Sequence, residues 1–170
     1  MLAFVFLSVG HAQPSGGTGP VRRAAPRFED LRVPTPIPAR KKRAEIADRA
    51  PDVDKQLSDA AKEGPDFAGH FFISEWTCGS FCNYIVIVDV ATMKVYGAPF
   101  AVAYFMCNFD GRPVVYRLDS SLLVVHGSIE THDAGGREVR GPCGTFYYNW
   151  DGHALKLIHS VIPRARAVER

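Results

Sequence analysis

No stretch of the 170-residue chain holds the roughly twenty consecutive apolar residues that a bilayer-spanning helix needs. The apolar run Tyr84–Val90 is strand-sized, and polar residues bound it. Cysteine is scarce: four in all, too few for a disulfide-dense miniprotein. No two histidines stand at helical i, i+4 spacing, and no Cys-x-x-Cys occurs. The commonest zinc patterns and the thioredoxin-type redox motif are therefore missing. Gly16-Gly17 and Gly135-Gly136 lack the strand-to-helix framing of a phosphate loop. Neither a metal nor a cofactor is expected. What is present is ordinary for a globular chain, 46% hydrophobic and 22% charged residues. That excludes a wholly disordered chain and a collagen-like one.

The net charge of +2 hides a segregation. Val21–Ala50 carries nine Lys/Arg against four Asp/Glu, Pro51–Pro163 eight against thirteen, and Arg164–Arg170 three against one. The arms are basic and the body is acidic. An acidic body argues against a nucleic-acid-binding face.

The start, MLAFVFLSVGHA, is apolar from Leu2 to Val9, ends on the small residues Gly10 and Ala12, and then turns polar at Gln13. Residues 1–12 read as the latter part of a secretory signal peptide, although no Lys or Arg precedes Arg22. A periplasmic or secreted location is expected, without a transmembrane span. Residues 13–40 hold six of the twelve prolines, which forbid a helix or a central strand and mark an extended arm. Phe28, Leu31, Val33 and Ile37 are the residues able to pin it to the body. Residues 41–163 read as one β-rich domain with an N-terminal helix, and residues 164–170 as a basic tail.

The helix falls within Lys41–Glu63. Val53, Leu57, Ala60 and Ala61 form one apolar stripe, Pro51 suits a first turn, and Gly64-Pro65 is a stop. From Gly69 the pattern changes. Candidate strands are His70–Trp76, Asn83–Val90, Lys94–Gly97, Val114–Leu118, Leu122–Ser128, Thr145–Trp150 and Leu155–Ile162, rich in Val, Ile, Phe and Tyr. Asp151-Gly152 is the strongest hairpin signal. Short connections require antiparallel pairing, because parallel crossovers need a dozen or more residues. The expected fold is mainly β (α+β): a single antiparallel meander sheet or open barrel carrying one N-terminal helix.

Three runs carry a resemblance: Gly64-Pro65-Asp66-Phe67-Ala68-Gly69-His70-Phe71, Trp76-Thr77-Cys78-Gly79-Ser80-Phe81-Cys82, and Ile85-Val86-Ile87-Val88-Asp89. They resemble uncharacterised exported bacterial proteins that share a GPNFAGHY…WGCGTSC…DAKTGKVY-type motif. Arg117–Leu123 and Tyr147–Gly152 fit the second half of that group. The likeness implies export and brings no activity with it. Thr77 and Met93 stand where glycine is usual, and Cys107 and Cys143 lie outside the shared motif.

Cys78 and Cys82 flank a three-residue loop whose Gly79 and Ser80 permit a sharp turn, so a disulfide stapling two strands is the first reading. Cys107 and Cys143 then pair with each other, although four cysteines allow three connectivities. Redox catalysis fits less well, because the spacing is one residue too long and a strand follows. A cysteine hydrolase fits less well still, since Phe81 interrupts the Cys-Gly-Ser-Cys order. His70 with Cys78 and Cys82 is the one metal grouping worth testing. Glu75, with Asp66 and Asp89, offers carboxylates with no spacing that pairs them. Trp76, Phe81, Tyr84, Tyr104 and Phe105 offer aromatic surface, ordinary core being the simpler reading. The expected function is an exported non-catalytic binding module for an envelope protein or extracellular ligand, with Trp76, Phe81, His70 and Glu75 as candidate contacts. The alternative is a thiol- or metal-dependent enzyme using Cys78, Cys82 and His70.

Overall fold

A computed structural model describes residues 24–34, 57, 62–79, 82–104, 107, 109 and 111–163. The strands are β1 (Phe71–Gly79), β2 (Cys82–Asp89), β3 (Val95–Ala103), β4 (Val114–Val115), β5 (Leu122–His132), β6 (Glu138–Trp150) and β7 (Leu155–Val161). They form one open sheet in the order β1-β2-β3-β5-β6-β7, with β4 beside β3 on the same edge of β5. Every pairing is antiparallel. The single mainly-β antiparallel sheet expected from the sequence is therefore present. Of the expected helix, Leu57, Lys62 and Glu63 are helical, and the rest of Lys41–Glu63 lies outside the described residues. So do residues 1–23, 35–40 and 164–170, which hold the apolar start, most of the proline arm with Ile37, and the basic tail.

The sheet curls on itself. The rings of Phe71 on β1 and Trp150 on β6 are 5.3 Å apart, edge to face, although three strands separate β1 from β6. Right-handed twist accumulated over several strands brings the ends together in this way. Inside the curl, Ile73, Ile85, Ile87, Val102, Leu123 and Val125 form one buried cluster with those rings. A second cluster lies on the opposite face of β1 and β2, where Phe72, Val86 and Val88 pack with Leu57 and Met93. Both faces of β2 are covered, which is why Ile85-Val86-Ile87-Val88 is apolar without alternation. Full burial of a side chain such as Leu57 or Phe72 contributes about 1.5–3 kcal/mol. Met93 takes φ +58°, a backbone region that favours glycine, and its side chain is buried in the second cluster.

Four strands run further than the sequence pattern indicates, among them β1 to Gly79 and β5 to His132. β3 continues to Ala103 and β6 begins at Glu138, through Pro99 and Pro142. The ladder between β2 and β3 is interrupted between Gly97 and Ala101, and that between β5 and β6 between Arg140 and Cys143. Each proline occupies an irregularity where no ladder donor is required. Val114–Leu118, in contrast, shortens to the two residues of β4. Asp151-Gly152 does form the β6–β7 hairpin: Gly152 has φ +95°, and Asp151 accepts the amides of His153 and Ala154.

The arm is pinned. A 3-10 turn, Phe28–Leu31, sits on the turn before β5. Ser120 Oγ donates to the carbonyl oxygens of Phe28 and Leu31, and the Val33 amide donates to the Asp119 carbonyl. Arg117 bonds Glu29 and Asp119, although these exposed ion pairs add little stability.

Candidate functional site at the stapled hairpin

All four cysteines are in disulfides, Cys78–Cys82 and Cys107–Cys143. The first closes the end of the β1–β2 hairpin, where Gly79 at φ +137° and a bulge between Thr77 and Gly79 bring the chain round. Ser80 and Phe81, at the tip, lie outside the described residues.

Adjacent residues on a strand point to opposite faces, and this separates the candidates. Trp76 is on the outer face and Glu75 on the face inside the curl. The outer face carries a continuous row: Trp76 is opposite Tyr84, Tyr84 opposite Ala101, Ala101 opposite Glu130, and Glu130 opposite Arg140. Trp76 is half-buried against the second cluster, and its indole N–H donates to Ser74 Oγ at 2.9 Å, which fixes the ring. Tyr84 is 46% exposed. Ala101 is the small member of the row, so a cleft of about 330 Å³ opens beside it. Cys78, Cys82 and Tyr84 form one side of this cleft, and Glu130, His132 and Glu138 the other. The Glu130 carboxylate is 6% exposed and is held by Arg140, which also reaches Glu138 at 3.6 Å.

The inner face at the same level is polar. Asn83 Nδ2 donates to Glu75 at 3.2 Å and lies 3.5 Å from the Tyr104 hydroxyl. Deeper in, Asp66 accepts the Ile73 amide at 3.0 Å and the Tyr116 hydroxyl at 3.2 Å. Burial pushes the Asp66 carboxyl above its ordinary 3.8, against the pull of these two donors. Burial, then the Asp66 charge, pushes the Tyr116 phenol up to about 12. The folded state therefore holds the Asp66 proton more tightly than the unfolded chain does. This favours folding fully below pH 3.8 and is lost as pH rises through the folded value. Asp66→Asn has no such proton to lose. Its stability relative to the parent is expected to improve as pH climbs from 3.8 through the folded value, read by urea unfolding at a series of pH values. A difference that stays constant over that span contradicts the assignment.

His70 is exposed before β1, its ring 4.1 Å from that of Phe71. It stands at the opposite end of the strand from Cys78, about 25 Å away by strand rise. The structure therefore does not bring His70 to Cys78 and Cys82. Among the described residues, no group of three or more His, Cys, Asp or Glu is placed to hold a metal ion, and no helix is long and apolar enough to cross a membrane. Of the aromatic candidates, Trp76 and Tyr84 are neighbours on the outer face and Tyr104 is on the inner one. Phe105, like Phe81, lies outside the described residues. Glu130, His132, Glu138 and Arg140 escaped the sequence reading, because only the β5–β6 register aligns them with Tyr84.

No family model, curated protein or solved structure matches the chain.

Proposed function

We propose that this chain is an exported, non-catalytic binding module whose contact surface is the outer face of the stapled β1–β2 end. The observation that carries the reading is the side-by-side placement of Trp76 and half-exposed Tyr84, beside a disulfide and an open cleft. Aromatic anchors on a preordered surface bind with little ordering cost, and Trp and Tyr dominate contact energetics. Two closed disulfides favour a periplasmic or secreted setting, where such bonds persist. The resemblance to exported bacterial proteins leans the same way. An envelope protein or an extracellular ligand is the partner class, and the acidic body disfavours nucleic acid. The enzyme alternative, with Cys78, Cys82 and His70, needs a thiolate, and both sulfurs are bonded.

The test is cross-linking of the tagged chain in its own cells. Tyr84→Ala and Trp76→Ala are each expected to weaken the cross-linked partner by tenfold or more, as for a loss of about 2 kcal/mol, with folding retained. Undiminished cross-linking by both variants contradicts this surface. A reactive Cys78 with stoichiometric zinc in the purified protein favours the enzyme instead.

A further inference from the structure

The two edges of the open sheet are finished differently. On β1 the edge-facing groups are satisfied within the chain: Phe71 exchanges both main-chain bonds with Phe67, and the Ile73 amide donates to Asp66 Oδ1. β7, at the other end of the strand order, pairs with β6 alone among the described residues, so its far edge presents unpaired main-chain groups. Ile158 is also the extra residue of a bulge, between the Tyr147–His159 and Tyr148–Leu157 pairs, and has no partner on β6. Beyond Leu155 both faces of the strand are largely bare. Leu157 is 54% exposed, and Ile158, Val161 and, just past the strand, Ile162 are exposed too. Single exposed apolar side chains are ordinary, but four within residues 157–162 on an open edge are the pattern of a surface that something covers.

Charge selects the occupant. Lys156 is the only Lys, Arg, Asp or Glu in β7, and Asp151 of the same chain holds its ammonium at 2.8 Å. Such a strand meets its own copy without like-charge repulsion. The residues after Pro163 carry three Arg and one Glu, whereas Pro51–Pro163 carries eight Lys/Arg against thirteen Asp/Glu. A parallel pairing would set two basic tails side by side, and an antiparallel one carries each tail toward the other copy's acidic body. We propose that β7 pairs antiparallel with β7 of a second copy of this chain, centred between Ile158 and His159, so that two sheets become one. Pro163 has no amide hydrogen to offer and ends the paired segment, and the satisfied edge of β1 closes the assembly at two copies. The surface is separate from Trp76 and Tyr84, so the inference goes beyond the binding-module reading and stands without it.

The test is sedimentation velocity of the oxidised chain from the nanomolar to the high micromolar range, with hydrogen exchange at both ends of that range. The expected result is a mass that climbs to twice that of one chain and no further, with new amide protection at high concentration confined to Leu155–Ile162. Ile158→Lys is expected to weaken association tenfold or more, because it sets two ammonium groups against each other at the centre. If that variant fails to fold, Val161→Lys takes its place, its ammonium falling beside Lys156 of the partner subunit. Removing residues 164–170 is expected to weaken association several-fold. A single-chain mass at every concentration, growth past two copies, association that either change leaves untouched, or protection elsewhere overturns the proposal. So does protection of β7 that appears only when the partner cross-linked at the Trp76 face is added, which assigns the edge to that partner instead. None of these outcomes bears on cross-linking at Trp76 and Tyr84, which tests the binding module by itself.

Discussion

Replacing Cys107 and Cys143 together by alanine is expected to lower the melting temperature by on the order of 10–15 °C, and replacing Cys78 and Cys82 by about half as much. The difference follows from ring size. Cys107 and Cys143 are 36 residues apart in sequence, Cys78 and Cys82 only 4. Closing the larger ring removes more freedom from the unfolded chain, about 4 kcal/mol against about 2 kcal/mol. The larger ring also fastens the segment after β3 to β6, which is not β3's neighbour in the sheet. The smaller one joins residues that the β1–β2 ladder already holds close. The pair at the hairpin end is thus placed less for global stability than for tying the ends of β1 and β2 together beside Trp76 and Tyr84. Paired thermal melts of the two double variants under non-reducing conditions check this. Equal shifts, or a larger shift from the hairpin pair, contradict it.

Gly127→Ala is expected to cost about 3 kcal/mol or more, or to prevent folding. Gly127 has φ +149°, and an added Cβ would lie 2.9 Å from the Ala103 carbonyl oxygen and 3.1 Å from a Val102 methyl. The first of these is backbone and has no rotamer to turn away. The crowding is local to the point where β3 leaves β5, and where β4 takes over the same edge two residues further on. Gly97→Ala is the matched control: it is also in β3's sheet, nothing lies within 4 Å of its added Cβ, and its change is expected to stay within about 0.5 kcal/mol. Urea unfolding of both variants reads the contrast. Similar small costs for the two would show that the close approach at Gly127 is not a constraint.

Much of the fold is legible along the chain because local chemistry decides it. Ile85–Val88 is a strand in any setting, Asp151-Gly152 has few alternatives to a hairpin, and Gly64, at φ +93°, follows the last helical residues as a stop should. Phe28, Leu31 and Val33 are apolar residues in a proline-rich arm, and Ser120 and Asp119 hold that arm through its backbone. The failures have a common cause. Pro99 and Pro142 end a strand pattern when read locally, yet each is accommodated by an irregular ladder that depends on the neighbouring strand. The site is less legible for the same reason. Glu75 and Trp76 are neighbours in sequence and opposite in direction. Glu130 is 46 residues from Tyr84 in sequence, and only the pairings through Ala101 place both in one row. His70 is close to Cys78 along the chain only in a sense that an extended strand abolishes.

The central claim is that oxidised sulfur, not reactive thiol, shapes the face that carries Trp76 and Tyr84. The most direct test alkylates the chain inside its own cells before lysis and then maps every cysteine by mass spectrometry. The account predicts no alkylated cysteine and two bridged species, Cys78–Cys82 and Cys107–Cys143. Four alkylated cysteines, in a chain that still carries Met1–Ala12, would contradict it.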